Sequence, residues 1–332
     1  MSQFKALWVE EQEGGIFTTA IVERNVDDLP EGDLLIEVDW SSLNYKDALS
    51  AKGNKGVTRN YPHTPGIDAA GKVVSCRSGK FQSGDEVIVI GYDLGMNTAG
   101  GFGQRIRVPE NWAVQLPKGL SLKDSMIIGT AGFTAALCIE KLLHMGLKAD
   151  QGEVLVTGAT GGVGIVAVNL LAQLGFTVAA STGKVEQAEL LKQLGAASVI
   201  PRQELSEANN RPLLKERWAA AVDVVGGSTL VNIQKSLNYG ASVACCGLVG
   251  SPELNATVFP LILRGINVLG VDSVNLPLAT KAALWQRLAT DWKPAGLNQL
   301  VTEISFAELI PSLDKVYKGE AVGRMVLKLG SQ

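Results

Sequence analysis

The sequence predicts an α/β protein in which a doubly wound parallel sheet is joined to a second, β-rich domain. Three observations lead to this prediction: short apolar runs alternate with helical stretches after residue 153, a glycine-rich turn follows the first run, and the earlier part contains short strand-like runs separated by turns. Alternating strands and helices are typical of a parallel sheet covered by helices on both faces. Short strands between turns indicate a compact, barrel-like β domain.

The individual elements follow from apolar runs and turn residues. In the first part we expect strands at 4–9, 34–40, 71–74 and 86–90, followed by a helix at 124–143. The alternating part is predicted to contain strands at 154–157, 178–181, 198–200, 221–225, 242–246 and 268–271. Helices are expected at 163–174, 184–194, 204–217, 228–237 and 258–264, and a last strand at 323–329. We therefore predict an α/β domain at 123–295 and a β domain formed by 1–122 and 296–332.

The turn after the first strand of the α/β domain has the glycine spacing of a dinucleotide-binding site. Gly161 and Gly164 occupy the second and third glycine positions of that pattern, and Ala159 occupies the first. Without a Cβ the backbone can approach a pyrophosphate, and the amides of the following helix point toward the anion. We expect the cofactor's phosphates to contact Thr160, Gly161, Gly162, Val163 and Gly164.

The end of the second strand indicates which dinucleotide binds. Proteins that bind NAD place an Asp or Glu about 20 residues after the first glycine, where it accepts the ribose hydroxyl bonds. Here that place holds Ser181, Thr182, Gly183 and Lys184, and no acid lies between Glu153 and Glu186. Two hydroxyls and an ammonium can hold a 2′-phosphate, so the sequence predicts NADPH as the cofactor. The alternative for Lys184 is a solvated charge that opens the next helix.

Length and composition restrict the class of protein. A chain of 332 residues exceeds the usual size of a single core, and a net charge of −3 gives no general attraction to nucleic acid or to an acidic membrane surface. No uninterrupted apolar run reaches the length of a membrane span, and the N-terminus does not resemble a signal peptide. We expect a cytoplasmic protein with neither a nucleic-acid partner nor a membrane partner.

Motifs along nearly the whole chain resemble the medium-chain dehydrogenase/reductase superfamily. They are SSLNYKDAL (41–49), HTPGIDAAG (63–71), FQSGDEV (81–87), GGFGQRIRV (100–108), GTAGFTAAL (129–137), LKQLGA (191–196) and GRMVLK (323–328), together with the glycine turn. The resemblance implies a Rossmann domain for NADPH and a GroES-like catalytic domain. Within the superfamily, the chain is most similar to the zinc-free subfamily of acrylyl-CoA reductases and quinone oxidoreductases.

The same resemblance argues against a catalytic metal. Zinc members of the superfamily have a cysteine and a histidine where this chain has Asn44 and Ile67, and the third ligand position falls near Ile127. Asp68 remains at the acidic position, but one carboxylate cannot replace three lost ligands. We expect no metal site.

Three residues of the NYKD and PGID motifs are candidates for catalysis. The resemblance places Asn44 and Tyr45 near the nicotinamide, where either could donate a hydrogen bond to an oxyanion or position the substrate. The alternatives are a loop-capping amide for Asn44 and a ring stacked on the cofactor for Tyr45. Asp68 is expected to orient a neighbouring group or to take part directly in proton transfer.

Further cofactor contacts are expected at the ends of later strands. Arg202 follows the third parallel strand and could clamp the 2′-phosphate together with Thr182 and Lys184, although a solvated arginine is the alternative. Leu248 should border the nicotinamide ribose and residues 270–273 the nicotinamide face. The resemblance places Arg324 near the pyrophosphate, and the alternative is an exposed strand charge.

These features predict the reduction of an activated, α,β-unsaturated double bond by NADPH. The best candidate is acrylyl-CoA reduction to propionyl-CoA, because hydride addition to a conjugated carbonyl needs less polarisation than reduction of an isolated ketone. The alternatives are an NADPH:quinone oxidoreductase and a non-catalytic NADPH-binding sensor or structural protein. Lys52, Lys55 and Arg59 are weak candidates for binding the CoA phosphates. The apolar run at 264–274 would form an edge strand, so we expect a homodimer.

Overall fold

The computed structural model describes residues 3–207 and 209–330, which form two compact units. Unit 1 takes its described residues from Met1–Thr130, Val274–Asp291 and Leu297–Gln332, and unit 2 takes its own from Ala131–Ser273 and Trp292–Gly296. The boundaries predicted from the sequence differ from this division mainly at 274–291, which the sequence places in the α/β domain. These residues join unit 1 because Lys281 is completely buried there and donates hydrogen bonds to the carbonyl oxygens of Ile90 and Val274, at 2.8 and 2.9 Å.

Unit 1 contains an antiparallel hairpin and a larger mixed sheet. The hairpin pairs β1 (Gln3–Gln12) with β2 (Ile16–Asn25). In the sheet the strand order is β14 (Val301–Ile304), β15 (Arg324–Lys328), β3 (Leu34–Ser42), β4 (Asp68–Cys76), β5 (Glu86–Ile90) and β7 (Ala113–Gln115), and β6 (Arg105–Val108) also pairs with β3. Along β3 the buried side chains alternate, with Leu34, Ile36 and Val38 directed into the core.

Within the described residues, three α-helices belong to unit 1: α1 (Tyr45–Ala51), α8 (Leu278–Ala289) and α9 (Phe306–Tyr317). A fourth helix, α2 (Leu122–His144), includes the boundary between the two units and has a non-helical residue at Gly129. By length and apolarity α2 could cross a membrane, but 78% of its apolar window is buried inside the protein. It is therefore a core helix.

Unit 2 is a six-stranded parallel sheet, as predicted. Its strands lie in the order β10 (Ala196–Pro201), β9 (Thr177–Thr182), β8 (Glu153–Val156), β11 (Trp218–Asp223), β12 (Leu237–Cys245) and β13 (Asn267–Gly270). The helices are α3 (Gly162–Gln173), α4 (Ala188–Gln193), α5 (Gln203–Ser206), α6 (Gly227–Ser236) and α7 (Phe259–Arg264). The order reverses between β8 and β11, which is where open α/β sheets bind ligands at the carboxyl ends of their strands.

One predicted helix of unit 2 is largely wrong. We expected a helix at 204–217, but α5 ends at Ser206, and the described residues 207 and 209–217 contain no helix. The segment Asn209, Asn210, Arg211 and Pro212 supplies the reason, because asparagine competes for backbone hydrogen bonds and proline disfavours helix at the residue before it.

Candidate cofactor cradle and candidate active site

The glycine turn of unit 2 is closed so tightly that two of its residues must lack a side chain. A Cβ at Gly164 would lie 2.3 Å from the carbonyl oxygen of Gly158 and 2.7 Å from the Cα of Ala159. Gly158 has a φ of +57°, in the region that favours glycine. The helix α3 therefore starts directly against the strand end, and its first amides lack acceptors within the helix. Such a turn fits a pyrophosphate.

A buried acid ties the turn to the neighbouring strand. Asp223, the last residue of β11, accepts hydrogen bonds from the Thr157 hydroxyl at 2.6 Å and from the Gly226 amide at 2.8 Å. Burial raises the pKa of this carboxyl, and the hydrogen bonds oppose the rise. The sequence analysis did not identify Thr157 and Asp223, which fix the strand ends around the turn.

The end of β9 brings together the residues predicted to bind a 2′-phosphate. Arg202 donates its backbone N–H to the carbonyl oxygen of Thr182 at 2.9 Å. Its side chain lies against Gly183, since a Cβ there would be 2.9 Å from Arg202 Cδ and Nε. Gly183 and Arg202 are exposed and Lys184 is half-buried, so solvent reaches both cationic residues at the end of this strand.

The two hydroxyl residues of this segment are buried, unlike the cationic residues. Ser181 and Thr182 are almost completely buried. The Thr182 hydroxyl lies 3.0 Å from the Thr160 hydroxyl and accepts the Lys184 amide at 3.0 Å. The Ser181 carbonyl accepts the Ala159 amide at 3.0 Å. Ser181 and Thr182 therefore shape the loop, whereas Gly183, Lys184 and Arg202 are at least partly exposed to solvent.

The predicted nicotinamide-side residues of unit 2 lie at the ends of β12 and β13. Leu248 is exposed, and Gly247 before it packs so closely that a Cβ would lie 2.4 Å from the Val224 carbonyl oxygen. Ser273 is buried and its Oγ accepts the Thr134 hydroxyl at 2.8 Å. Leu248 and Ser273 thus follow the carboxyl ends of these strands, as expected. The contacts of both residues with the cofactor stay predictions.

In unit 1, Asp68 is the centre of a buried polar network. It is completely buried at the start of β4. Its carboxylate accepts hydrogen bonds from the Ser42 hydroxyl, the Asn44 Nδ2 at 2.9 Å, the Thr130 amide at 2.9 Å and the Thr130 hydroxyl at 2.5 Å. The predicted orienting role of Asp68 fits these contacts. Sequence analysis missed Ser42 and Thr130, although both lie in or beside quoted motifs.

The side chain of Asn44 is used to hold this network. Its Nδ2 donates to Asp68, and further contacts of 3.3 Å reach the Ser42 carbonyl and Asp47 Oδ2. The backbone N–H of Asn44 donates to Asp47 Oδ2 at 2.8 Å, which caps α1. Because the amide hydrogens point to protein acceptors, the arrangement favours the loop-capping alternative over donation to a substrate oxyanion.

Asp47 is a second buried carboxyl in the same network. Its Oδ1 accepts the Ile67 amide at 2.8 Å. Burial, and after it the charge of Asp68, raises the pKa of Asp47 to about 7. Asp47 therefore orders the loop at the start of α1.

Tyr45 differs from these buried neighbours because its ring is 39% exposed. It is the first residue of α1 and lies beside Tyr317, with the ring centroids 6.4 Å apart and the planes at 13°. Within the NYKD motif, Tyr45 is thus exposed to solvent, whereas Asn44 and Asp47 are buried.

Arg324 lies in the interior of unit 1 and is not an exposed strand charge. Its Nε donates to the Ile127 carbonyl at 2.9 Å and its Nη1 lies 3.4 Å from the Leu43 carbonyl oxygen. Burial lowers the pKa of Arg324, and the charges of Asp68 and Asp47 oppose this. Its Nη2 has no hydrogen-bond partner among the described residues, so a contact with a pyrophosphate oxygen stays a prediction.

Gly129 closes the network from α2. It has a φ of 52°, and a Cβ would lie 2.5 Å from Ser42 Oγ and 2.7 Å from both Arg324 Nη2 and Asp68 Oδ2. Only glycine fits this position. Gly129 opens the GTAGFTAAL motif, but the sequence alone does not show that glycine is required there.

The polar residues of unit 1 do not form a set of metal ligands. Throughout residues 3–207 and 209–330 no group of three or more His, Cys, Asp or Glu side chains is placed to hold a metal ion.

Two of the candidate CoA-binding cations form ion pairs within the protein. Lys52 pairs with Asp314 at 2.6 Å and Lys55 pairs with Glu11 at 2.5 Å.

Two family matches cover most of the chain. Residues 30–118 match the alcohol dehydrogenase GroES-like domain, and residues 162–290 match the zinc-binding dehydrogenase family. "Acrylyl-CoA reductase AcuI" of Ruegeria pomeroyi is 41% identical over 329 residues, covering 99% of this chain and 100% of that protein. The chain belongs to the medium-chain dehydrogenase/reductase superfamily. This confirms the predicted resemblance, the Rossmann sheet and the GroES-like domain.

The subfamily is shown by further similar proteins. "Putative quinone oxidoreductase YhfP" of Bacillus subtilis strain 168 is 44% identical over 327 residues, covering 98% of this chain and 99% of that protein. The yhdH oxidoreductase from Salmonella enterica, solved in complex with NADP, has a TM-score of 0.95 at 43% identity, covering 99% of this chain and 100% of that one. The yhfP protein of B. subtilis, solved with NAD bound, has a TM-score of 0.96 at 44% identity and the same coverage.

Proposed function

We propose that this oxidoreductase uses NADPH, without zinc, to reduce an activated carbon–carbon double bond, with acrylyl-CoA as substrate and propionyl-CoA as product. The observation that carries the proposal is the pair of accessible cations, Lys184 and Arg202, beside Gly183 at the end of β9. No acid occurs at 154–185, so nothing in this segment repels a 2′-phosphate. The reaction type rests on the family and on the similarity to an acrylyl-CoA reductase.

The cofactor would be held by unit 2. The amides at the start of α3 suit the pyrophosphate, Lys184 and Arg202 suit the 2′-phosphate, and Leu248 suits the ribose beside the nicotinamide. When bound, NADPH supplies a hydride. Overall, acrylyl-CoA, NADPH and one proton give propionyl-CoA and NADP⁺, with the hydride on the β carbon and the proton on the α carbon.

In unit 1 the phenol of Tyr45 is proposed to donate a hydrogen bond to the thioester oxygen as this oxygen gains enolate character. A donor directed at a developing negative charge lowers the barrier. Asn44 and Asp68 act as positioning residues, because the amide of Asn44 is bound to Asp68 and the start of α1 is bound to Asp47. The exposed ring of Tyr45 is thereby presented from a fixed helix end.

Steady-state oxidation of NADPH with acrylyl-CoA, crotonyl-CoA and a series of quinones tests the proposal. We expect acrylyl-CoA to give the highest kcat/KM, with propionyl-CoA formed in equal amount to NADP⁺. Preference for a quinone would instead favour an NADPH:quinone oxidoreductase, the second candidate, which the similarity to YhfP supports. Tight NADPH binding without turnover of any acceptor would favour a non-catalytic sensor or structural protein.

We also propose that the protein acts as a cytoplasmic homodimer. Among the described strands, β13 pairs with β12 only and so lies at the edge of the sheet. Val268 on this strand is partly exposed, and the adjoining α7 exposes four apolar residues, Phe259, Leu261, Ile262 and Leu263. A second copy that continues the sheet across a two-fold axis would cover both features.

A further inference from the structure

Tyr317 is an exposed aromatic residue that lies outside the sequence motifs described above. It ends α9, is 43% exposed, and its ring is nearly parallel to that of Tyr45, at 13°. The centroid distance of 6.4 Å is at the long end of the range for interacting aromatic pairs. Each ring therefore keeps a large accessible surface instead of covering the other.

The two rings are held by well-anchored helices. Lys52, which follows α1, forms an ion pair with Asp314 on α9, one turn before Tyr317. Beneath this contact the helices share one hydrophobic cluster that contains Ala48 and Leu313. Their relative position is thus set by packing and by charge, so the aromatic pair is preorganised.

A preorganised pair of accessible tyrosines has the chemistry of a binding surface for a planar ring. Aromatic groups stack on such rings at little cost in conformational freedom, because a tyrosine side chain has two rotatable angles. The ammonium of the neighbouring Lys52 is already paired with Asp314.

We propose that Tyr317 determines acceptor specificity by forming, with Tyr45, an aromatic platform on which a planar ring of the acceptor stacks. The inference rests on the proposed function, which makes Tyr45 the donor to the acceptor. The ring is the adenine of a CoA thioester, bound with the pantetheine arm bent back so that the thioester oxygen still reaches the Tyr45 hydroxyl; stacking of a quinone ring is the alternative outcome of the test.

Binding to the protein saturated with NADP⁺ tests the platform without requiring turnover. Calorimetric titrations would compare CoA, pantetheine, which lacks adenine, and a naphthoquinone, for the unmutated protein and for Tyr317→Phe and Tyr317→Leu. Tyr239→Leu, on an exposed tyrosine of unit 2 that is 79% accessible, is the matched control. NADPH affinity and circular dichroism would verify that each variant is folded.

We expect Tyr317→Leu to weaken the ring-bearing ligand about three- to tenfold, while Tyr317→Phe stays within about twofold and pantetheine is unaffected. Weaker CoA alone assigns the ring to adenine, and weaker naphthoquinone alone assigns it to a quinone. Equal affinities in Tyr317→Leu and in the unmutated protein would overturn the proposal, as would an equal loss for pantetheine, an equal effect of Tyr239→Leu, or no binding of either ring-bearing ligand. Ring-dependent binding without NADPH oxidation would refute only the proposed reaction.

Discussion

Removing the cations at the end of β9 should change the choice between NADPH and NADH. The variants are Lys184→Ala, Arg202→Ala and Lys184→Glu. The Arg202 side chain packs on Gly183, the residue before Lys184, and the proposal assigns one phosphate group to both cations. NADH lacks the 2′-phosphate, and its affinity should therefore stay within about twofold in each variant.

The expected magnitude follows from the exposure of these groups. A hydrogen bond to a charged group contributes about 1.5–3 kcal/mol, which corresponds to a factor of about ten to 150 in affinity. Arg202 is exposed and Lys184 half-buried, so solvent screening favours the lower end, about tenfold, for each alanine variant. Lys184→Glu adds repulsion and should weaken NADPH further.

Fluorescence titration of each variant with NADPH and NADH measures the effect. Lys192→Ala is the control, because Lys192 is an exposed cation of unit 2 that pairs with Glu189 on α4 at 2.8 Å. The similar B. subtilis structure with NAD bound makes the comparison informative. Equal affinity of the unmutated protein for both cofactors, or an equal loss in Lys192→Ala, would refute the reasoning.

Three other changes test unit 1 and the assembly. Tyr45→Phe should lower kcat tenfold or more with NADPH affinity unchanged, whereas loss of cofactor binding only in Tyr45→Ala would indicate stacking. The pKa of Asp47 is raised from 3.8 to about 7 in the folded protein. Its contribution to the free energy of unfolding is therefore full below pH 4 and is lost as the pH rises toward and through 7. In urea unfolding, the free energy of unfolding of Asp47→Asn should vary less with pH over this interval. Ile262→Lys should convert a dimer to a monomer in light scattering, and a monomeric unmutated protein at micromolar concentration would contradict the assembly.

The sequence predicted the parallel sheet well because its central strands are apolar on both faces. Val154, Leu155 and Val156 of β8 are completely buried, and every residue of β11 is buried. By contrast, β2 was not predicted, since none of its residues is fully buried and its pattern is weak. Helix α9 was also not predicted, partly because it contains Pro311 and proline is unfavourable inside a helix.

The sequence predicted which residues lie in the candidate site but not the hydrogen bonds between them. Asn44, Tyr45 and Asp68 were selected from motifs, yet nothing local indicates that the amide of Asn44 donates to Asp68. That bond depends on a loop and a strand brought together by β3–β4 pairing. Arg324 is still further away in sequence and enters the same interior through β15.

The polar network of unit 1 bears on the proposal that the acceptor is a conjugated one. Where zinc relatives have a ligand, Asn44 directs its amide to Asp68, and the carboxylate is satisfied by hydroxyl and amide donors from Ser42 and Thr130. These hydrogen bonds all lie within the protein, which fits the proposed positioning role of Asn44 and Asp68. Metal coordination supplies several kcal/mol of charge stabilisation, whereas in the proposed mechanism the substrate oxygen receives a single hydrogen bond from the Tyr45 phenol. An acceptor that spreads the added charge into an enolate needs less stabilisation, and an isolated ketone should be a poor substrate.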